Sequence, residues 1–170
     1  METPETLLAR LAALGIEART TTHAAVFTVA ESQALRGQLP GGHAKNLFLK
    51  PKAGAFLLAV LQEDRQVSVN ALGRAAGVGR VSFGTAEELV AQLGVTPGSV
   101  TPFGLVNAAP GAVQVAFDRS LMQDHEWVNF HPLVNTATTT IRPADLLRFL
   151  ESLGHRPMLL DLDSGGTPAA

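Results

Sequence analysis

Two apolar runs joined by a short breaker segment constrain the fold of this chain most. Lys45 to Lys50 and Ala55 to Leu61 flank Pro51-Lys52-Ala53-Gly54, a hairpin signal with a four-residue connection. Capped helices stand at both ends of the chain. Thr3-Pro4 ahead of Leu7, Leu8, Leu11 and Leu14 predicts a helix with proline at its first position, closed by Gly15. Arg142-Pro143-Ala144-Asp145 opens a last helix carrying Leu146, Leu147, Phe149, Leu150 and Leu153, ended by Gly154. Helices enclosing a middle of short strands predict an α/β (α+β) single domain. Its sheet is expected to be mixed and mostly antiparallel, or a partial barrel, flanked by helices.

The intervening segments are read the same way. Ile16 to Thr22 predicts a strand leading to His23, and Thr28-Val29-Ala30-Glu31 has capping-box spacing for a short helix to about Leu35. Gly37 to Gly42 is a breaker-rich loop. Val67 to Asn70 is either a short strand or the lead into a helix at Ala71 to Ala76. Thr85 to Glu88 forms a second capping box, for a helix to Leu93 closed by Gly94. Strands are expected at Leu105 to Ala108 and Val113 to Phe117 around the Ala109-Pro110-Gly111 turn, with further β-rich pieces at Trp127 to Phe130 and Thr136 to Ile141. No repeat or linker divides the chain, so residues 1–160 are expected to form the domain and 161–170 a frayed tail.

Composition then removes function classes. With 46% hydrophobic and 16% charged residues over 170 positions, the chain is globular and can bury one substantial core. Its apolar runs fall far short of the ~20 residues that span a bilayer. No basic segment precedes an apolar stretch at the N-terminus, so a cytoplasmic protein is expected. The absence of cysteine excludes disulfides, thiol catalysis and thiolate metal sites. A net charge of -2 argues against broad phosphate-driven binding, and no DNA partner is expected. It leaves room for a partner gripped at one end. All three lysines, Lys45, Lys50 and Lys52, lie within eight residues.

Several catalytic patterns are missing. No Gly-Lys pair is followed by Ser or Thr, the glycines at Gly73, Gly77 and Gly79 lack dinucleotide-fingerprint spacing, and no Gly-x-Ser-x-Gly elbow occurs. His125 and His131 are six apart and do not share a helical face; Asp124 and Glu126 beside them keep a metal site as a minor alternative. Three segments carry more. On a strand, Lys45 shares a face with Leu47 and Leu49, which puts its ammonium either at a cavity mouth or snorkelling from the strand end. The Gly98-Ser99-Val100-Thr101-Pro102 loop offers backbone N–H groups to a carbonyl or oxyanion, or is an ordinary connection. The hydroxyl-rich run from His131 through Asn135 and Thr136 to Thr140 either lines a polar pocket or decorates an edge strand.

In this order, Gly42-His43-Ala44-Lys45-Asn46-Leu47-Phe48-Leu49, the Gly98-x-x-x-Pro102 loop and His131-Pro132-Leu133-Val134-Asn135-Thr136-Ala137-Thr138 resemble the editing domain that bacterial prolyl-tRNA synthetases carry as an insertion. The domain they resemble is found also as free-standing proteins of the YbaK-like superfamily. The resemblance covers roughly residues 1 to 155 and is greatest to the free-standing deacylases that clear alanine from proline tRNA. It implies a YbaK-like mixed-sheet fold and hydrolysis of the ester joining an amino acid to the tRNA 3′-terminal adenosine. It places Lys45 and Gly98 at the reaction, with Asn46, Ser99, Val100, Thr101, Pro102, His131, Asn135 and Thr136 around the substrate. No metal or organic cofactor is implied. The partner is the 3′ acceptor end of an aminoacylated tRNA, with prolyl-tRNA synthetase a further candidate, and a monomer is the expected state. Deacylation of cysteine from proline tRNA is the rival within the superfamily. A non-catalytic nucleic-acid-binding module and a catalytically idle partner of a synthetase are the rivals outside it; the lack of Tyr and the single Trp count against nucleobase stacking.

Overall fold

A computed structural model describes residues 1–25 and 29–163. In chain order the elements are α1 (Pro4–Ala13), β1 (Ala18–Thr22), α2 (Val29–Gln38), β2 (Gly42–Pro51), β3 (Phe56–Gln62), α3 (Val69–Ala75), β4 (Val81–Phe83) and α4 (Ala86–Leu93), followed by β5 (Val113–Asp118), α5 (Arg119–Gln123), β6 (Val128–Phe130), β7 (Ala137–Ile141), α6 (Pro143–Ser152) and β8 (Met158–Leu160). Two 3-10 turns, Pro97–Ser99 and Pro102–Asn107, lie between α4 and β5. Among the described residues no helix is long and apolar enough to cross a membrane.

The sheet runs β1-β7-β6-β2-β3-β5-β8, with β4 joined to the far end of β2. The pairings β1–β7, β6–β7, β2–β3 and β2–β4 are antiparallel. Those of β2–β6, β3–β5 and β5–β8 are parallel. The mixed α+β architecture expected from the sequence is therefore present, with antiparallel pairings in the majority.

The expected hairpin is β2–β3, in register from Ala44↔Gln62 to Leu49↔Leu57. Strand β3 reads as an unbroken apolar run because both its faces are covered. Leu58 and Val60 enter the larger core with Leu7, Leu11, Phe103, Phe117 and Phe149, under α1, α4 and α6. Leu57, Ala59 and Leu61 point the other way and join Leu72 of α3, Leu49 and Ala116. Leu47 lies against this second cluster, on the Lys45 face of β2.

Local chemistry sets the element ends. Thr3 and Thr6 exchange side-chain-to-backbone hydrogen bonds at the start of α1, and Thr85 and Glu88 form the expected capping box of α4. Thr28, expected to cap α2, lies outside the described residues. Helix α2 runs on to Gln38, through Gly37, so the breaker loop shrinks to the residues just before Gly42 and β2 starts there. Leu105 to Ala108, expected as a strand, falls largely in the Pro102–Asn107 3-10 turn. Proline at its first position and the Thr101 Oγ1 acceptor for the Phe103 N–H start a helical turn where apolar residues alone suggested a strand. Val67 to Asn70 leads into α3 instead of forming a strand; β4, α5 and β8 are too short to show a period.

Candidate functional site

Strand β2 changes partners along its length. On the side away from β3, only Gly42 and His43 pair with β6, and only Leu49 to Pro51 pair with β4. Between them, that edge of β2 is open among the described strands. Gly42 N–H donates to the Trp127 carbonyl, and the Phe48 carbonyl accepts from Gly84 N–H, both on the open side. Asn46 is in phase with these residues, so its backbone N–H and C=O face the gap.

Gly41 and Gly42 make the junction with β6 possible. Gly41 has φ +89°, and a Cβ there would lie 2.1 Å from the Trp127 carbonyl oxygen; a Cβ on Gly42 would lie 2.6 Å from the His125 ring. Neither position takes a side chain without a shift in the segment that leads into β6.

A cavity of about 380 Å³ opens beside this gap. That is within the range of about 300–1,000 Å³ typical of small-molecule sites. β2 contributes His43, Ala44, Lys45 and Asn46; Asn129, Phe130 and His131 come from β6 and its end, Thr138 from β7, Glu63 from the turn after β3, and Leu35 and Leu39 from α2 and its end. The Lys45 ammonium donates to the main-chain carbonyl of Arg65. The side-chain oxygen of Asn46 is buried without a hydrogen-bond partner among the described residues. A buried unpaired acceptor is costly, which makes it a ready receptor for a donor brought by a ligand.

His131 Nδ1 donates to the Ala137 carbonyl at 2.8 Å, leaving Nε2 as the acceptor nitrogen of the neutral ring. Burial pushes its pKa below the ordinary histidine value, and the neighbouring His23 ring, 6.3 Å away between centroids, acts in the same direction; the bond to Ala137 opposes them. His23 Nε2 is 2.8 Å from Thr138 Oγ1 and its Nδ1 is 2.8 Å from the Ala24 carbonyl. The backbone bends sharply after His131, where Leu133 takes φ 71°. A non-glycine residue there carries strain of about 1–3 kcal/mol.

The threonine run lies inside the sheet and not on an edge, since β7 sits between β1 and β6. Thr138, Thr139 and Thr140 are all buried, and each finds a side-chain partner: His23, Thr20 and Asn129. Asn129 is fully used, donating to the Pro40 and Gly42 carbonyls at 2.7 and 3.1 Å and accepting from Thr140 Oγ1 at 2.6 Å. It ties the glycine junction to β7.

Lys45, Asn46 and His131 thus surround one cavity, while Gly98 to Pro102, Asn135 and Thr136 are not among its lining residues. The Gly98 loop meets the His131 segment at one remove: a Cβ on Gly98 would lie 3.4 Å from Asn135 Nδ2. Within the loop, Gly98 is exposed, Val100 half-buried, and Ser99, Thr101 and Pro102 buried. Ser99 N–H is used by the Thr96 carbonyl. The Thr136 carbonyl accepts from His23 N–H. Thr138, part of the hydroxyl-rich run, does line the cavity. His23, Asn129 and Arg65 were not singled out as site residues from the sequence, because no local spacing links them to Lys45.

The fold and cavity define a mixed-sheet α+β domain with a partly polar cavity where its central strand β2 changes partners. The chain matches the aminoacyl-tRNA editing domain over residues 23–149. It is 40% identical over 159 residues to prolyl-tRNA synthetase associated domain-containing protein 1 of Bos taurus, covering 91% of this chain and 92% of that protein. It is 28% identical over 163 residues to the prolyl-tRNA editing protein ProX of Acetoanaerobium sticklandii, covering 95% of this chain and 99% of that protein. The fold also matches the crystal structure of hypothetical protein APE2540, with a TM-score of 0.67, 24% identity, and coverage of 91% of this chain and 95% of that one. The chain belongs to the aminoacyl-tRNA editing domain family.

Proposed function

We propose that this protein is a trans-editing deacylase that hydrolyses Ala-tRNA(Pro). The observation that carries the proposal is the meeting of Lys45, the unpartnered Asn46 oxygen and the neutral His131 around one cavity. Family membership and the names of its relatives agree with it. An aminoacyl ester is already activated, so the reaction needs a positioned water and electrostatic stabilisation more than a nucleophilic side chain.

In this reading Lys45 grips the terminal phosphate or ribose with the N–H groups that Arg65 leaves free. Asn46 accepts a hydrogen bond from the substrate, and the α-amino group is the natural donor. Water adds to the ester carbonyl, the bond to the ribose oxygen breaks, and that oxygen takes a proton, with the neighbouring ribose hydroxyl assisting its transfer. Backbone N–H groups of the Gly98 to Pro102 loop receive the carbonyl or hold the water; Pro102 itself has none to give. His131 lines the aminoacyl pocket or orients the water, with Asn135 and Thr136 shaping the wall behind it. The reaction calls on no metal or organic cofactor. Residues 1–160 act as one domain, the tRNA acceptor end is the partner, and prolyl-tRNA synthetase is a candidate source of the mischarged substrate in the cytoplasm.

Selection rests on size. A pocket shaped for alanine rejects proline by steric clash, whereas a missing methylene in a synthetase pocket is worth only ~1–3 kcal/mol. Release of radiolabelled amino acid from Ala-, Cys- and Pro-tRNA(Pro) tests this. Rapid loss of alanine with proline spared is expected. Preference for cysteine would replace the substrate and keep the chemistry. Hydrolysis of none would leave a binding module.

A further inference from the structure

Asp118 is a fully buried carboxylate that the proposed reaction does not use. It ends β5, beside the end of β3, with Phe117 in register with Val60. Its Oδ2 accepts from Gln62 N–H at 3.1 Å and from Arg65 Nε at 2.7 Å, and its Oδ1 accepts from Arg65 Nη2 at 3.0 Å. Two hydrogen bonds from one guanidinium to one carboxylate fix both distance and plane. Arg65 Nη1 also meets Asp163 at 2.7 Å, and Nη2 meets Ser120 Oγ at 3.3 Å. The guanidinium is held more firmly protonated than usual, chiefly by its hydrogen bonds to Asp118.

The turn after β3 is otherwise exposed at Glu63 and Asp64. Arg65 N–H closes it on the Gln62 carbonyl at 3.1 Å. The Arg65 side chain is therefore drawn inward to Asp118, while its main-chain carbonyl accepts from the Lys45 ammonium. Lys45 itself sits opposite Leu61 on β3, close to the same turn. A neutral carbonyl takes one of the three ammonium N–H groups without cancelling the charge. A carboxylate in that place would have cancelled the charge.

Building on the deacylase reading, we propose that Asp118 and Arg65 are positioning residues, their ion pair fixing the turn whose Arg65 carbonyl holds the Lys45 ammonium at the cavity. The pair acts on Lys45 through the backbone and touches no substrate.

Two variants and two readouts test this. Asp118→Asn removes one charge. Arg65→Met combined with Asp118→Asn removes both, which avoids the uncompensated buried charge that a single change leaves and keeps the test open if the single variant does not fold. The first readout is the ¹⁵Nζ ammonium NMR signal of Lys45 in the free protein. It is expected to shift or vanish in both variants, while amide signals remote from the turn stay in place. The second is hydrolysis of Ala-tRNA(Pro), where kcat is expected to fall on the order of 10- to 100-fold with KM held within about twofold. An unchanged Lys45 signal and unchanged kcat in a folded variant would overturn the proposal. A displaced Lys45 signal in a protein whose wild type hydrolyses no aminoacyl-tRNA would support the positioning role and sink the deacylase reading, so the two failures are distinguishable.

Discussion

Strands β3 and β7 lie at nearly the same depth and have opposite chemistry. From Leu57 to Leu61 β3 is wholly buried and wholly apolar, so its stability comes from area removed from water on both faces. From Ala137 to Ile141 β7 is also wholly buried, yet three of its residues are threonines. Each of those hydroxyls needs a partner, and the partners come from other elements: Thr20 of β1 and His23, 119 and 115 residues away, and Asn129 of β6, 11 residues away. One strand packs; the other wires. The cavity lies at the wired end of the sheet, where β2 leaves β6, and an apolar half holds that polar half in place.

This contrast can be broken by substitution, the largest stability effect first. Leu58→Ala removes a core side chain and should cost about 2–5 kcal/mol in urea unfolding, while deacylation per folded molecule stays near wild type. A large activity loss in the folded fraction would contradict the division between a packing half and a working half. Thr140→Val strands the Asn129 oxygen and should cost about 1–3 kcal/mol, with an activity loss beyond the stability effect because Asn129 ties down Gly42. Equal effects on stability and rate from both variants would erase the distinction.

A smaller effect sharpens the same comparison by pH. Burial lowers the folded-state pKa of His131 from 6.5, so the unfolded chain takes up the proton first as pH falls. Its contribution to stability is full above pH 6.5 and is lost as pH drops toward the lowered folded value. Chemical denaturation at pH 7.5 and 5.5 should show this loss, and His131→Gln should flatten the slope; an unaltered slope would remove His131 from the account. The smallest effect belongs to the surface. Lys50 and Glu88 meet at 2.6 Å, but the Lys50 side chain is 52% exposed, so Lys50→Met should shift stability by less than about 1 kcal/mol.

The same contrast explains what could be read from the sequence. The β2–β3 hairpin, α1, α4 and α6 were legible because apolar runs and caps are local signals. Lys45, Asn46 and His131 were legible as members of quoted motifs, and they meet at one cavity. The threonine run was ambiguous between pocket wall and edge strand, since hydroxyl residues read alike in both until their partners are known. Leu105 to Ala108 was misread because the turn chemistry of Thr101 and Pro102 outweighs a short apolar period. Asp118, Arg65 and Asn129 gave no sign, as each acts across at least two elements.

The most direct test of the central claim is single-turnover hydrolysis of Ala-tRNA(Pro) by wild type and Lys45→Ala, each shown to be folded by its amide spectrum. The account predicts loss of about 10²- to 10³-fold in rate, in line with removal of a principal electrostatic group. A Lys45→Ala protein that deacylates at near-wild-type rate would contradict it.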